Sequence, residues 1–247
     1  MTTLAVIGGT GARALVPSDH LVRTTVDTPY GPPSGPLLHW EVAGDDWYYL
    51  PRHGPEGTIP PHCVNYRANL WALHELEPDS VVAINAVGGI HPDALPGRLA
   101  FPDQVIDYTW GREHTFEDHM NRPVQHVEFA EPVSPDLRAR LSEVAGAQGI
   151  EHLPTGCYGA TQGPRLETVA EINRMERDGC DLVGMTGMPE AALARELGLR
   201  YAICAVVVNY AAGRSPSGEA IHAQIEASLE AGMTSVRRVL EGLLGGR

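Results

Sequence analysis

The segments that decide the fold are Gly163-Pro164-Arg165-Leu166-Glu167-Thr168 and Gly184-Met185-Thr186-Gly187-Met188-Pro189. Apolar residues recur at helical spacing after the first segment, so a helix is predicted there with Glu167 and Thr168 at its start. Residues 181–185 read as a short strand, and Pro189 predicts a second helix after the turn at Thr186. A strand that ends in a small turn before a helix is where α/β proteins hold ligand-binding groups.

The rest of the chain alternates in the same way between apolar strands and amphipathic helices. Strands are predicted at 4–7, 81–84 and 201–208, and residues 37–50 read as a hairpin around Gly44-Asp45-Asp46. No internal repeat or linker interrupts this order. The sequence therefore predicts a single α/β domain over residues 1–247, with a mixed or largely parallel central sheet flanked by helices.

Composition limits the partners. The 247 residues include 31 acidic and 18 basic side chains, a formal net charge of −13, which disfavours binding to nucleic acid or an anionic membrane. The four cysteines show no metal-binding or redox spacing, so we interpret them as small buried residues and expect no metal site. The N-terminus has no signal-peptide pattern and no apolar run is long enough to span a bilayer, so we expect a cytoplasmic protein.

Gly8-Gly9-Thr10-Gly11 follows the first predicted strand and could direct backbone N–H groups at an anion. The run from Gly9 to Ala14 also fits a dinucleotide-binding fingerprint, which leaves a Rossmann-type nucleotide sensor as an alternative. Its acidic ribose partner would be Asp27, which lies in a predicted turn and not at a strand end.

Three further sequence blocks belong with these motifs: Arg52-His53-Gly54, residues 64–73 (VNYRANLWAL) and Asn85-Ala86-Val87-Gly88-Gly89-Ile90. With the segments above, they resemble the trimeric purine nucleoside phosphorylases and their methylthioadenosine phosphorylase relatives. The resemblance spans residues 4 to about 213. It implies phosphorolysis of a purine nucleoside, with inorganic phosphate as co-substrate and no metal or organic cofactor.

For phosphate binding, the resemblance implies Thr10, Arg52, His53, Ala86 and Thr186. A guanidinium suits phosphate oxygens, and threonine hydroxyls add donors. Taken alone, Arg52 would be a solvated loop charge, and both threonines would be helix caps.

For the base, the resemblance implies Asn209 and Glu167. Adenosine-type members carry an aspartate at the position of Asn209 and another two residues on, where this chain has Ala211. An amide both donates and accepts, which fits a 6-oxopurine, and Glu167 aligns with a carboxylate that accepts its ring N–H. Alternatively, Asn209 is a turn residue after a strand.

For the sugar, the resemblance implies substrate binding by Met185, Leu166, His126 and His222. Met185 would lie under the ribose, although in isolation it reads as core. His126, otherwise a surface histidine, aligns with the residue that each subunit of a homotrimer lends to its neighbour's site. His222, near the start of the last predicted helix, aligns with a residue that faces the 5′ group or else simply faces solvent.

The expected reaction is cleavage of a 6-oxopurine nucleoside by phosphate in purine salvage. Similarity is closest to members that use S-methyl-5′-thioinosine, through residues 85–91, Gly111-Arg112-Glu113-His114-Thr115 and residues 184–190. Inosine or guanosine phosphorolysis and methylthioadenosine phosphorolysis remain alternatives.

Overall fold

The computed structural model describes residues 2–118, 123–216 and 221–245, apart from the side chains of 221–224. The strands are β1 Thr3–Gly8, β2 Val22–Thr24, β3 Leu37–Val42, β4 Asp45–Pro51, β5 Ser80–Gly89, β6 Leu99–Ala100, β7 Gln104–Asp107, β8 His152–Leu153, β9 Cys157–Ala160, β10 Leu182–Gly184 and β11 Tyr201–Tyr210. The helices are α1 Tyr66–His74, α2 Pro135–Ala147, α3 Val169–Asp178, α4 Gly187–Glu196 and α5 Ile221–Gly245.

All of these strands join one mixed sheet centred on β5. β1 runs parallel to the first half of β5, and β11 runs parallel to β5 along almost its whole length. β10 pairs antiparallel with the last two residues of β5. The predicted class, one α/β domain with a mixed central sheet and flanking helices, is confirmed.

An opening in the sheet lies beside the middle of β5. On one side of β5, pairing with β1 ends at Ile84 and pairing with β10 begins at Gly88. Asn85, Ala86 and Val87 lie between these points, where the chain leaves β1 at Gly8. A change of strand partner in an α/β sheet leaves a crevice at the carboxyl ends of the strands, which is the usual place for a ligand.

Apolar side chains cover both faces of the sheet. Alternate residues of β1 belong to two separate clusters, Ala5 and Ile7 to one and Leu4 and Val6 to the other, because successive side chains of a strand point to opposite faces. α4 packs with the first cluster and α5 with the second. This burial fixes the strand ends that surround the opening.

The structure corrects two sequence interpretations. β1 is followed by a short 3-10 turn, Ala12–Leu15, and then by β2, where a dinucleotide fingerprint needs an α-helix. Asp27 is exposed in the loop after β2, so the Rossmann-type alternative is wrong. Asn209 is not a turn residue, because it lies within β11 at an irregularity where the register with β5 shifts.

Candidate active site

A cavity of about 690 Å³ occupies the opening beside β5. Nine residues that were predicted from the sequence to bind substrate or phosphate line this cavity: Thr10, Arg52, His53, Ala86, Leu166, Glu167, Met185, Thr186 and Asn209. They come from the segments that follow β1, β4 and β10, from the middle of β5, from the approach to α3, and from β11. His126 is exposed and outside the cavity lining, and the side chain of His222 lies outside the described residues.

Arg52 is fully buried and already bound to a carboxylate. Its Nε donates to Glu190 Oε2 at 2.7 Å and its Nη2 donates to Glu190 Oε1 at 2.8 Å, with both side chains 0% exposed. Nη1 donates to the carbonyl of Ile84 at 2.9 Å. The guanidinium is therefore not the free loop charge that the sequence allowed, and one Nη1 hydrogen remains without a partner among the described residues.

Glu190, the buried partner of Arg52, is a residue that sequence reasoning missed. It lies in the first turn of α4, where its neighbour Pro189 starts the regular helix because Met188 has non-helical backbone angles. The Tyr201 hydroxyl also donates to Glu190 Oε1, at 3.0 Å. Burial lowers the pKa of Arg52, but Glu190 and the neighbouring tyrosines Tyr201 and Tyr66 together raise it by more, so the guanidinium stays charged. A signal was present, since Glu190 is an acidic residue amid an otherwise apolar helix face.

His53 has one ring nitrogen committed to the backbone. Its Nδ1 lies 2.8 Å from the carbonyl oxygen of Ile59, which can only accept, so Nδ1 carries the hydrogen. Burial, with the neighbouring Arg52 cation, holds the pKa of His53 below its usual range. The imidazole is therefore neutral at pH 7, and Nε2 offers a lone pair.

Neither threonine serves as the helix cap that the sequence allowed. The 3-10 turn after β1 has Gly11 at its N-cap position, and Thr10 is exposed in the cavity wall. Thr186 does occupy the N-cap position of α4, but its side chain makes no capping hydrogen bond. Its Oγ1 instead accepts a hydrogen bond from Asn85 Nδ2 at 2.8 Å. Both hydroxyls thus remain in the cavity lining.

The base-side prediction concerns Glu167 and Asn209, which line the same cavity. The Thr161 hydroxyl donates to Glu167 Oε1 at 2.6 Å and orients the carboxylate. Asn209 Nδ2 donates to the carbonyl of Tyr210 at 2.6 Å, which fixes the amide plane. A Cβ added at Gly88 would lie 3.2 Å from Asn209 Nδ2, so glycine at that position leaves room for the amide. Ala211 also lines the cavity and brings no charge.

Met185 lies where two chain segments meet. Gly163, with a φ of +60°, approaches it so closely that an added Cβ would be 2.5 Å from the Met185 sulfur. The left-handed backbone angle and this close approach together favour glycine at position 163. Leu166 lines the cavity and is 41% exposed.

Arg112 holds the cavity walls from behind, a role that the sequence did not reveal. It is 8% exposed, and its guanidinium donates to the carbonyls of Met185 at 2.8 Å and Met188 at 2.6 Å. It also donates to the carbonyls of Thr161 at 3.2 Å and Gln162 at 2.9 Å. One buried cation thus links the segment before Glu167 to the segment that carries Thr186. The only sequence signal was its place in the Gly111-Arg112-Glu113-His114 block.

Two further lining residues were not predicted. Arg13 follows the glycine-rich turn, and its guanidinium has one long contact, 3.4 Å from Nη1 to the Val16 carbonyl, with no carboxylate partner among the described residues. Ile225 lies in α5, three residues after His222, and its side chain adds an apolar surface to the cavity lining.

Comparisons with known proteins agree with this geometry. The family model of the phosphorylase superfamily matches residues 3–245. A probable S-methyl-5′-thioinosine phosphorylase of Xanthomonas campestris is 50% identical, covering 98% of this chain and 97% of that protein. A 6-oxopurine nucleoside phosphorylase of Pyrococcus furiosus is 44% identical, covering 87% and 82%.

A solved structure gives the same result. Methylthioadenosine phosphorylase from Schistosoma mansoni, in complex with adenine, superimposes with a TM-score of 0.91 and 31% identity, covering all of this chain and 93% of that one. The chain belongs to the phosphorylase superfamily and is an enzyme of the nucleoside phosphorylase type, a pentosyltransferase. The family predicted from the sequence blocks is confirmed.

Proposed function

We propose that this enzyme cleaves a 6-oxopurine nucleoside with inorganic phosphate, and that its preferred substrate is S-methyl-5′-thioinosine. The products are hypoxanthine and 5-methylthioribose 1-phosphate. The observation that carries the proposal is the set of residues assigned to the purine base. Asn209 and Glu167 line the cavity, and Ala211 beside them has no carboxylate. The names of the relatives at 44–50% identity support the same base.

The phosphate half of the proposal depends on charge. Because Arg52 is neutralised by Glu190, it offers phosphate a single Nη1 hydrogen and little net charge. Arg13 is a second cation in the lining and has no carboxylate partner among the described residues. We assign the phosphate to Arg13, Arg52, Thr10, Thr186 and the backbone of Ala86. In a chain of net charge −13, such local donors must supply the attraction.

His53 lies beside this group as an acceptor. Its neutral ring presents Nε2 without a hydrogen, so it can accept from a hydroxyl of the sugar or from a protonated phosphate oxygen. We assign this contact to substrate positioning, which brings the nucleophile and the anomeric carbon together without a metal.

The reaction follows from these contacts. A phosphate oxygen forms a bond to the anomeric carbon while the glycosidic bond breaks, and the bonding pair leaves with the purine. Positive charge develops on the sugar and negative charge on the five-membered ring of the base. The Asn209 amide donates to that ring, and Glu167 accepts the N–H of the six-membered ring. Hydrogen bonds that strengthen as charge develops lower the barrier more than they tighten ground-state binding.

The 5′ end separates the candidate nucleosides. Ile225 presents an apolar surface, which favours a methylthio group over a hydroxyl by desolvation. If His222 also faces the cavity, its imidazole favours a 5′-hydroxyl, so inosine or guanosine is the second candidate. Methylthioadenosine is disfavoured because the adenosine-type acidic pair is replaced by Asn209 and Ala211.

We also propose a homotrimer with shared sites. His126 is exposed and does not reach the cavity of its own chain, which suits a residue that completes a neighbour's sugar pocket. Light scattering should give three times the chain mass, and His126→Ala should weaken nucleoside binding without dissociating the assembly. A fully active monomer contradicts this part of the proposal.

The four free thiols fit a reducing cytoplasm. No helix of the described residues is long and apolar enough to cross a membrane.

One experiment tests the main proposal. Release of hypoxanthine or adenine is measured from S-methyl-5′-thioinosine, inosine and methylthioadenosine, each with and without phosphate. We expect hypoxanthine release from S-methyl-5′-thioinosine to be fastest and to stop without phosphate. Equal release of adenine from methylthioadenosine contradicts the base assignment, and faster cleavage of inosine contradicts only the 5′ preference.

A further inference from the structure

We propose that Asn85 is a positioning residue that sets the hydroxyl of Thr186 to donate into the cavity. Asn85 is 1% exposed and does not line the cavity itself, whereas its neighbour Ala86 does. It therefore has to act through another group. This inference rests on the proposed function, since it gives that hydroxyl the phosphate as its acceptor.

The orientation of the Asn85 amide follows from Arg52. A guanidinium has only donors, so the amide atom that faces it must be the oxygen. Arg52 Nη2 lies 3.4 Å from Asn85 Oδ1, and the opposite orientation would set two donors against each other. Arg52 cannot turn away, because Glu190 holds Nε and Nη2 with two short bonds and is itself buried.

The direction of the Thr186 hydroxyl follows from the amide. With Oδ1 toward Arg52, the Asn85 Nδ2 group faces Thr186 and donates to its Oγ1 at 2.8 Å. The hydroxyl oxygen is thereby an acceptor in this contact, and its own hydrogen must point elsewhere. No acceptor for that hydrogen occurs among the described residues, and the side chain does not cap α4. Thr186 lines the cavity, so its hydrogen is available there.

A series of hydrogen bonds thus connects the buried carboxylate of Glu190 to the cavity. It runs through Arg52 and Asn85 to the hydroxyl of Thr186. Each member fixes the next, and each is at most 6% exposed, so water competes little for these hydrogen bonds. A donor oriented before the ligand arrives needs no reorganisation when it binds an anion. The arrangement explains how a neutralised Arg52 can still favour phosphate, by orienting Thr186 as a donor toward it.

A double-mutant cycle tests this role. The variants are Asn85→Leu, which has a similar size and no polar group, Thr186→Val, which removes the hydroxyl, and the pair together. KM and kcat for phosphate and for S-methyl-5′-thioinosine are measured for each. We expect Thr186→Val to raise the phosphate KM by about 10–100-fold, the range for a hydrogen bond to a charged group. Asn85→Leu should raise it by about tenfold, with a much smaller change in the nucleoside KM.

The decisive comparison is Asn85→Leu in the Thr186→Val background. Without a hydroxyl to orient, its effect on the phosphate KM should fall below about twofold. In the Thr186→Ser background, which keeps the hydroxyl, the tenfold effect should remain. An undiminished effect with Thr186→Val overturns the inference, because Asn85 would then act by a direct or purely structural route.

Two additions keep the result interpretable. If Asn85→Leu does not fold, Asn85→Asp replaces it: the carboxylate only accepts, so it draws the Thr186 hydroxyl toward itself, and its effect should again be smaller with Thr186→Val. An equal effect in both backgrounds would refute the inference. The unaltered enzyme is assayed first, since a lack of phosphate-dependent turnover there refutes the proposed function and not the role of Asn85.

Discussion

The buried pair of Arg52 and Glu190 should make a large contribution to stability that a single substitution removes. Glu190→Gln keeps the side-chain size but leaves the buried Arg52 cation without a carboxylate. Both side chains are 0% exposed and are joined by contacts of 2.7 and 2.8 Å, so little water can replace the lost partner. Breaking such a pair from one side costs about 3–5 kcal/mol. For a chain of this size, that corresponds to roughly 6–20 °C in Tm.

The assay is urea unfolding followed by circular dichroism at pH 7, supported by a thermal scan. The matched control is Glu143→Gln on α2, because Glu143 forms an exposed ion pair with Arg140 at 3.6 Å. That change should alter the free energy of unfolding by about 0.5 kcal/mol or less. The double variant Arg52→Met/Glu190→Met should be more stable than either single variant, since no buried charge is left alone.

The reasoning is refuted by a specific outcome. A loss of stability for Glu190→Gln within about 1 kcal/mol of the control would mean that Arg52 finds another partner or that the pair is hydrated. The same variant also probes the site. If stability falls but the phosphate KM stays unchanged, Arg52 serves the fold and not the phosphate.

Further predictions concern the base, the 5′ end and the thiols. Asn209→Asp should raise adenine release from methylthioadenosine relative to hypoxanthine release from S-methyl-5′-thioinosine, because a carboxylate accepts from an exocyclic amino group; an unchanged ratio removes Asn209 from base recognition. Ile225→Ser should lower the efficiency ratio of S-methyl-5′-thioinosine to inosine by about tenfold, the value of roughly 1.4 kcal/mol of apolar contact, and equal losses for both substrates would mean that Ile225 does not contact the 5′ group. At pH 8, Cys63 should react with a thiol reagent in the native protein, while Cys204 should react only on unfolding, because burial raises its pKa to about 12. Mass spectrometry after labelling would contradict this if both thiols were modified at the same rate.

Local chemistry in the sequence determined most of the fold and much of the cavity lining. Thr168 caps α3 through a capping box with Glu171, as a polar residue before a helical apolar pattern predicts. The glycine turns and the apolar strands are short-range features, so the ends of β1, β4 and β10 could be read along the chain. The strand predicted at 81–84 instead continues to Gly89 as β5. β1 and β4 run parallel, so the residues that follow them lie at one edge of the sheet, whereas β10 runs antiparallel to β5 and reaches the cavity from the opposite direction. The match to known sequence blocks added the expected chemistry.

What the sequence could not determine were the partners of the polar side chains across the fold. Arg52 and Glu190 are 138 residues apart, and Arg112 reaches Met188 over 76 residues, so no local pattern pairs them. The same limit applies to Asn209, whose place within β11 depends on a register shift against β5. Such contacts are set by how the sheet branches at β5, because burial there forces each charge and each amide to find a partner. The sequence thus supplied the side chains of the site, while the tertiary structure decided which of them remain available to a ligand.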